Sequence, residues 1–153
     1  MTGRAFVVKR LEIERKIASG FGDILGKSGH FPVVVVDNQY QPVQADWIKA
    51  AIETDAVLVR KPYTRDVFDC DDYAFYLKTK FALVAQQKNV PAPFALGVLI
   101  TKLHAFNFCF EPDTTLHLIN TQVDGAPSTS NEAAFESFLD MNIPGNRIEL
   151  IYI

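Results

Sequence analysis

The stretch Asp69-Cys70-Asp71-Asp72-Tyr73-Ala74-Phe75-Tyr76-Leu77, running on to Gln87, decides how the chain is read. Tyr73, Ala74, Leu77, Phe81 and Val84 or Ala85 recur at a spacing near 3.6, which predicts an amphipathic helix over 69–87. Asn89 and Pro91 stop it. Asp69 stands where an N-cap belongs, and Asp72, three residues on, completes a capping box. Cys70 then takes the first helical position, where free N–H groups and the positive end of the helix dipole favour a thiolate. Asp71 and Asp72 oppose that charge, so a nucleophilic sulfur needs an imidazolium or a bound cation beside it. On the plainer view Cys70 is a small buried side chain next to helix-capping carboxylates.

Past Pro93 the period changes to two. Phe94–Lys102, His104–Phe110 and Leu116–Gln122 read as successive strands, and Arg147–Ile153 as a last one. Upstream, Leu11, Ile13, Ile17, Phe21 and Leu25 suggest a helix within 9–25. Phe31–Val36 is a strand or an extended arm, and a short helix starts at Gln44–Asp46. Val57-Leu58-Val59 follows and closes at Pro62, while Gly125–Asn131 is a polar loop before a short helix, Glu132–Leu139. Helices first and antiparallel strands after make an α+β class, with the Cys70 helix packed on a small antiparallel sheet. One domain is expected, divided into 1–40 (helix and extended segment), 41–125 (core) and 126–153 (helix and strand). Residues 31–36 are the candidate plug, should the N-terminal segment cover a cleft.

His104, Phe106, Phe108 and Phe110 alternate onto one face of their strand. With Glu111-Pro112-Asp113 as a three-residue hairpin loop, Phe108 faces Leu116, Phe106 faces Leu118 and His104 faces Asn120. Such neighbours have Cβ atoms about 4.5–5.5 Å apart, so the Asn120 amide would orient the imidazole, the third-member role of a catalytic triad.

The order Cys70, His104, Asn120 is that of papain. On Phe68-Asp69-Cys70-Asp71-Asp72-Tyr73-Ala74, His104-Ala105-Phe106-Asn107 and Ile119-Asn120-Thr121-Gln122, the chain resembles a papain-like cysteine protease. More narrowly it is similar to the protease domain of the Marasmius-type fungal agglutinins and to small bacterial and phage proteins with that pattern. The resemblance implies a papain-like fold, Cys70 as nucleophile, His104 as its base and Asn120 as the orienting residue, where the agglutinins carry a glutamate. It also implies activation by calcium, through Asp71, Asp72 and Gln122. No cofactor is required for the chemistry itself.

The remaining features set limits. A net charge of -3 gives no basic footprint for nucleic acid, and no apolar run spans a bilayer. Two cysteines and no leader-like apolar stretch at the start point to a reducing, cytoplasmic setting, with Cys70 and Cys109 unpaired. Cys109 and Asn107 fall on the strand face away from His104. His30 and His117 have no partner at metal-ligand spacing, Trp47 reads as core, and Glu111 with Asp113 reads as a hairpin tip. The expected function is therefore a cysteine hydrolase, a peptidase or amidase acting on a peptide or amide, with a homodimer left open. The alternative is a catalytically inert papain-like binding or interaction module. It is favoured by the carboxylates around Cys70 and by the lack of Gln or Asn in residues 60–66, where an oxyanion-hole donor belongs.

Overall fold

The Cys70 helix starts and stops where its end signals place it. In the computed structural model α4 spans Cys70–Gln87, and Asp69 N–H donates to Asp72 Oδ2 at 3.2 Å in a completed capping box. At the far end Asn89 takes a φ of 50°, a left-handed conformation that asparagine tolerates, and the chain turns out of the helix. The structure describes residues 7–20, 32–60, 64, 67–101, 104–113, 115–119, 121 and 148–153. The expected Glu132–Leu139 helix, the 125–131 loop and His30 lie outside the described residues.

The other elements, in chain order, are β1 (Val8–Lys9), α1 (Arg10–Gly20), β2 (Val33–Val34), β3 (Gln39–Tyr40), α2 (Ala45–Thr54) and α3 (Ala56–Arg60). After α4 come β4 (Leu96–Thr101), β5 (Ala105–Phe110), β6 (Leu116–Ile119) and β7 (Ile148–Tyr152). Five strands form one sheet in the order β2-β7-β4-β5-β6, and β1 pairs with β3 in a second, antiparallel one. The class is mixed α+β, as the sequence order of elements implies. Two features lie beyond that pattern. Val57-Leu58-Val59 is helical, because the buried Asp55 carboxylate accepts the N–H groups of Val57 and Leu58 at 2.8 and 3.0 Å and so caps α3. Residues 33–34 join the sheet: they pair in parallel with β7, Val33 against Ile151 and Val34 against Tyr152.

The sheet is covered on both faces. On one side Phe106, Phe108, Phe110, Leu99, Leu118 and Ile151 pack against Ile13 and Ile17 of α1, with Val8, Val35 and Tyr40. On the other, Leu96, Cys109 and Ile119 pack against Ile48 and Ile52 of α2, Leu58 of α3, and Tyr73, Leu77 and Phe81 of α4. That two-sided burial explains why every residue of β5 is buried, the polar Asn107 included. Trp47 belongs to the helical side, edge-on to Phe81 and Phe94 with ring centroids 5.2 and 5.1 Å away. Among the described residues no helix is long and apolar enough to cross a membrane.

The hairpin register is displaced from the expected one. Phe110 pairs with Leu116, Phe108 with Leu118 and Cys109 with His117. The ladder continues one step further, with Glu111 N–H donating to the Thr115 carbonyl at 3.0 Å. Asp113 Oδ1 accepts Thr115 N–H at 2.8 Å and tightens the tip just past the end of β5. A shift of two keeps each side chain on its face. The pairing of His104 with Asn120 falls on a residue outside the described ones.

Candidate functional site

Cys70 lies at the N-terminus of α4, half-buried against Ala74, Val98, Ala105 and Ile100. The helix reaches this place because its inner stripe of Ala74, Leu77, Phe81 and Ala85 beds on β4 and β5. Asn107 fastens the same contact. Its Nδ2 donates to the Ala74 carbonyl at 2.9 Å and to the Gly97 carbonyl at 3.0 Å, tying helix, β5 and β4 together. The sequence marked Asn107 only as a polar residue on the far face. Its alternation with the buried Cys109 was the signal that it points under the helix.

The β4–β5 hairpin brings His104 to the same end of the sheet. Thr101 N–H and Thr101 Oγ1 both donate to the His104 carbonyl at 2.8 Å, and His104 N–H donates to Thr101 Oγ1 at 3.0 Å. These bonds fix the backbone at His104, and its ring packs edge-on to Phe106 at 4.5 Å between centroids. Cys70 and the His104–Ala105 segment are thus brought together, with the Ala105 backbone N–H in hydrogen-bonding contact with the thiol. Asn120 and Gln122 lie outside the described residues, as does Tyr63.

The electrostatics at Cys70 oppose a thiolate. Burial pushes its thiol above the ordinary value, and the Asp69 and Asp71 carboxylates add to the rise; the Ala105 N–H works against them. Cys109, fully enclosed, is pushed up further still by burial. Both cysteines are free. The hydrogen bond from Asp69, together with burial and the Asp69 charge, holds the Asp71 carboxyl above the usual carboxylate range.

Ligand atoms of Asp69, Cys70 and Asp71 lie within 4.8 Å of one another, close enough to share a metal ion. Of the expected set of Asp71, Asp72 and Gln122, this group contains Asp71; Asp72 Oδ2 accepts the Asp69 N–H, and Gln122 lies outside the described residues. Two carboxylates and a sulfur fit calcium poorly, since calcium takes about six to eight oxygen ligands.

The remaining sequence candidates are structural. Glu111 Oε1 accepts the Ala45 N–H at 2.9 Å, capping α2 from a distance, and Oε2 lies 3.6 Å from His117 Nε2. Two residues that sequence reasoning passed over carry buried polar chemistry. Asp55, besides capping α3, takes an ion pair from Lys80 and the Tyr76 hydroxyl at 3.3 Å. Lys78 donates to the Leu96 carbonyl at 3.0 Å. The one signal for Lys78 was a cation four residues after Ala74, at the border of the apolar stripe.

No protein-family model matches the chain, and no curated protein sequence does. Solved structures do. One, described as a PSL1a–E64 complex, superposes with a TM-score of 0.68 at 17% identity, over 96% of this chain and 51% of that one. Another is Polyporus squamosus lectin bound to the human-type influenza-binding epitope Neu5Acα2-6Galβ1-4GlcNAc. It superposes with a TM-score of 0.62 at 21% identity, over 80% of this chain and 45% of that one. The chain therefore spans about half the length of these neighbours, and the likeness is one of fold. It corrects the family expectation: the neighbours are structures of a fungal lectin, and the resemblance to a papain-like protease domain, with the hydrolase and thiol-protease labels attached to it, is overturned.

Proposed function

We propose that the chain is a catalytically inert binding or interaction module. The observation that supports it is the state of Cys70. A half-buried thiol flanked by two carboxylates, with its proton held more tightly than in free cysteine, is a poor nucleophile at neutral pH. Its fold likeness to lectin chains agrees with a binding role, and the glycan in one neighbour's description gives a first ligand to try.

The test is site-by-site alkylation of the intact chain by iodoacetamide across pH, with and without calcium, followed by labelling with E-64. The expected midpoint at Cys70 lies at or above the free-thiol value of about 8.5. Cys70→Ala should leave melting temperature and glycan binding unchanged, and no peptide or amide should be turned over. A midpoint clearly below that value, lost in His104→Ala, or stoichiometric E-64 labelling of Cys70, would overturn the proposal.

A further inference from the structure

Along α4 from Cys70, Phe75 and Lys78 lean over Tyr152 of β7, beside the edge strand β2. Lys78 Nζ sits 5.3 Å from the centroid of the Tyr152 ring, and the Phe75 ring is 6.2 Å from it. Val34 of β2 pairs with Tyr152, so its side chain continues the same floor. Phe75 is 38% exposed and Val34 40%, so both neighbours of Tyr152 leave apolar surface open. Together they form a shelf with an apolar and aromatic floor and one ammonium group in its wall.

Among the described residues that ammonium has no close counter-ion. Lys78 is partly buried, and its only hydrogen bond among the described residues goes to the neutral Leu96 carbonyl. No carboxylate of the described residues lies within 4.0 Å of it. Asp37 acts on it only from beyond that distance, and burial accordingly lowers the Lys78 value below that of an ordinary lysine. A half-buried cation beside exposed aromatic surface is complementary to a ligand with an anion at one end and a ring at the other.

We propose that this shelf binds a small aromatic carboxylate, with Lys78 holding the carboxylate and Phe75, Tyr152 and Val34 receiving the ring. The inference gives a ligand class to the binding-module reading and rests on it for its sense, but the two fail separately. An activated Cys70 thiol would sink that reading and leave binding at Lys78 untouched.

The experiment is an NMR titration of the full chain with 3-phenylpropionate, following the Lys78 Cε–Hε and the Phe75 and Tyr152 ring signals. Saturable shifts at these residues, with a Kd of about 1 mM, are expected. Lys78→Met should weaken binding roughly 10-fold, the loss of one charge-assisted hydrogen bond. Phe75→Ala, at an exposed position where folding is safe, should weaken it several-fold. Binding should also fade as pH rises through the lowered Lys78 value, earlier than for an ordinary lysine at 10.5. The proposal is overturned if these signals do not move, or if neutral 3-phenylpropanol binds as well as the acid. Shifts that follow protein concentration instead of the probe would identify a second copy of the chain as the occupant, and would overturn it too.

Discussion

The two faces of the sheet are built on different principles. On the α1 side the contacts are apolar apart from the Tyr40 hydroxyl, which donates to the Ile153 carbonyl at 3.0 Å: Phe106, Phe108 and Phe110 alternate along β5 and meet Leu99, Leu118 and Ile151. On the α4 side apolar contacts are threaded with polar ties. Asn107 bonds two backbone carbonyls, Lys78 bonds a third, and Asp55 joins α3 to α4 through Lys80 and Tyr76. Cys70 belongs to this second side. An apolar face is held by area and shape and tolerates little loss of volume. A polar face is held by directed bonds, each small, and has charged groups to spare for ligands.

The contrast can be broken first on the apolar side. Phe108 is fully buried and presses on Gly97, where an added Cβ would come within 2.2 Å of its ring and 2.7 Å of the Tyr152 carbonyl oxygen. Phe108→Ala should therefore cost about 3–5 kcal/mol by denaturant unfolding. A loss below about 1.5 kcal/mol would mean that this face repacks freely.

On the polar side the largest single loss is expected at Asp55. Asp55→Ala removes the cap of α3 and the partner of Lys80, for about 2 kcal/mol. Asp55→Asn keeps an acceptor for the two N–H groups and should lose less. Equal losses in the two variants would put the weight on the ion pair instead of the cap.

The smallest effect is at Lys78. Its folded-state value is lowered by burial, so the unfolded chain binds the proton more tightly. Wild-type stability should then rise with pH between the lowered value and that of an ordinary lysine, 10.5. Lys78→Met should change stability at neutral pH by less than about 1 kcal/mol and flatten that rise. An unchanged pH profile would show that Lys78 is solvated as an ordinary surface lysine.

Legibility from the sequence followed the same division. The alternation Phe106, Phe108, Phe110 and the 3.6-residue stripe of α4 are local patterns, and both stand in the structure. The capping box at Asp69 and Asp72 was readable for the same reason, since all its atoms lie within one turn. The pairing register was not. It depended on Asp113 and Thr115 closing the hairpin tip and on Glu111 reaching the Ala45 N–H, contacts that pattern does not encode. The order Cys70, His104 and Asn120 reads as a catalytic set, but the electrostatics around the sulfur are not legible in that order: burial and the Asp69 and Asp71 carboxylates raise the thiol. Asn120 lies outside the described residues.

By itself the sequence determined the mixed α+β class, the long helix with Cys70 at its start and the strands after Pro93, because periodicity and end signals act between near neighbours. Only the tertiary structure decided that residues 33–34 extend the sheet in parallel and that Lys78 stands over Tyr152 with no carboxylate of the described residues within 4.0 Å. Each of these depends on a partner distant in the chain, and the identity of such a partner is fixed by which surfaces are buried together.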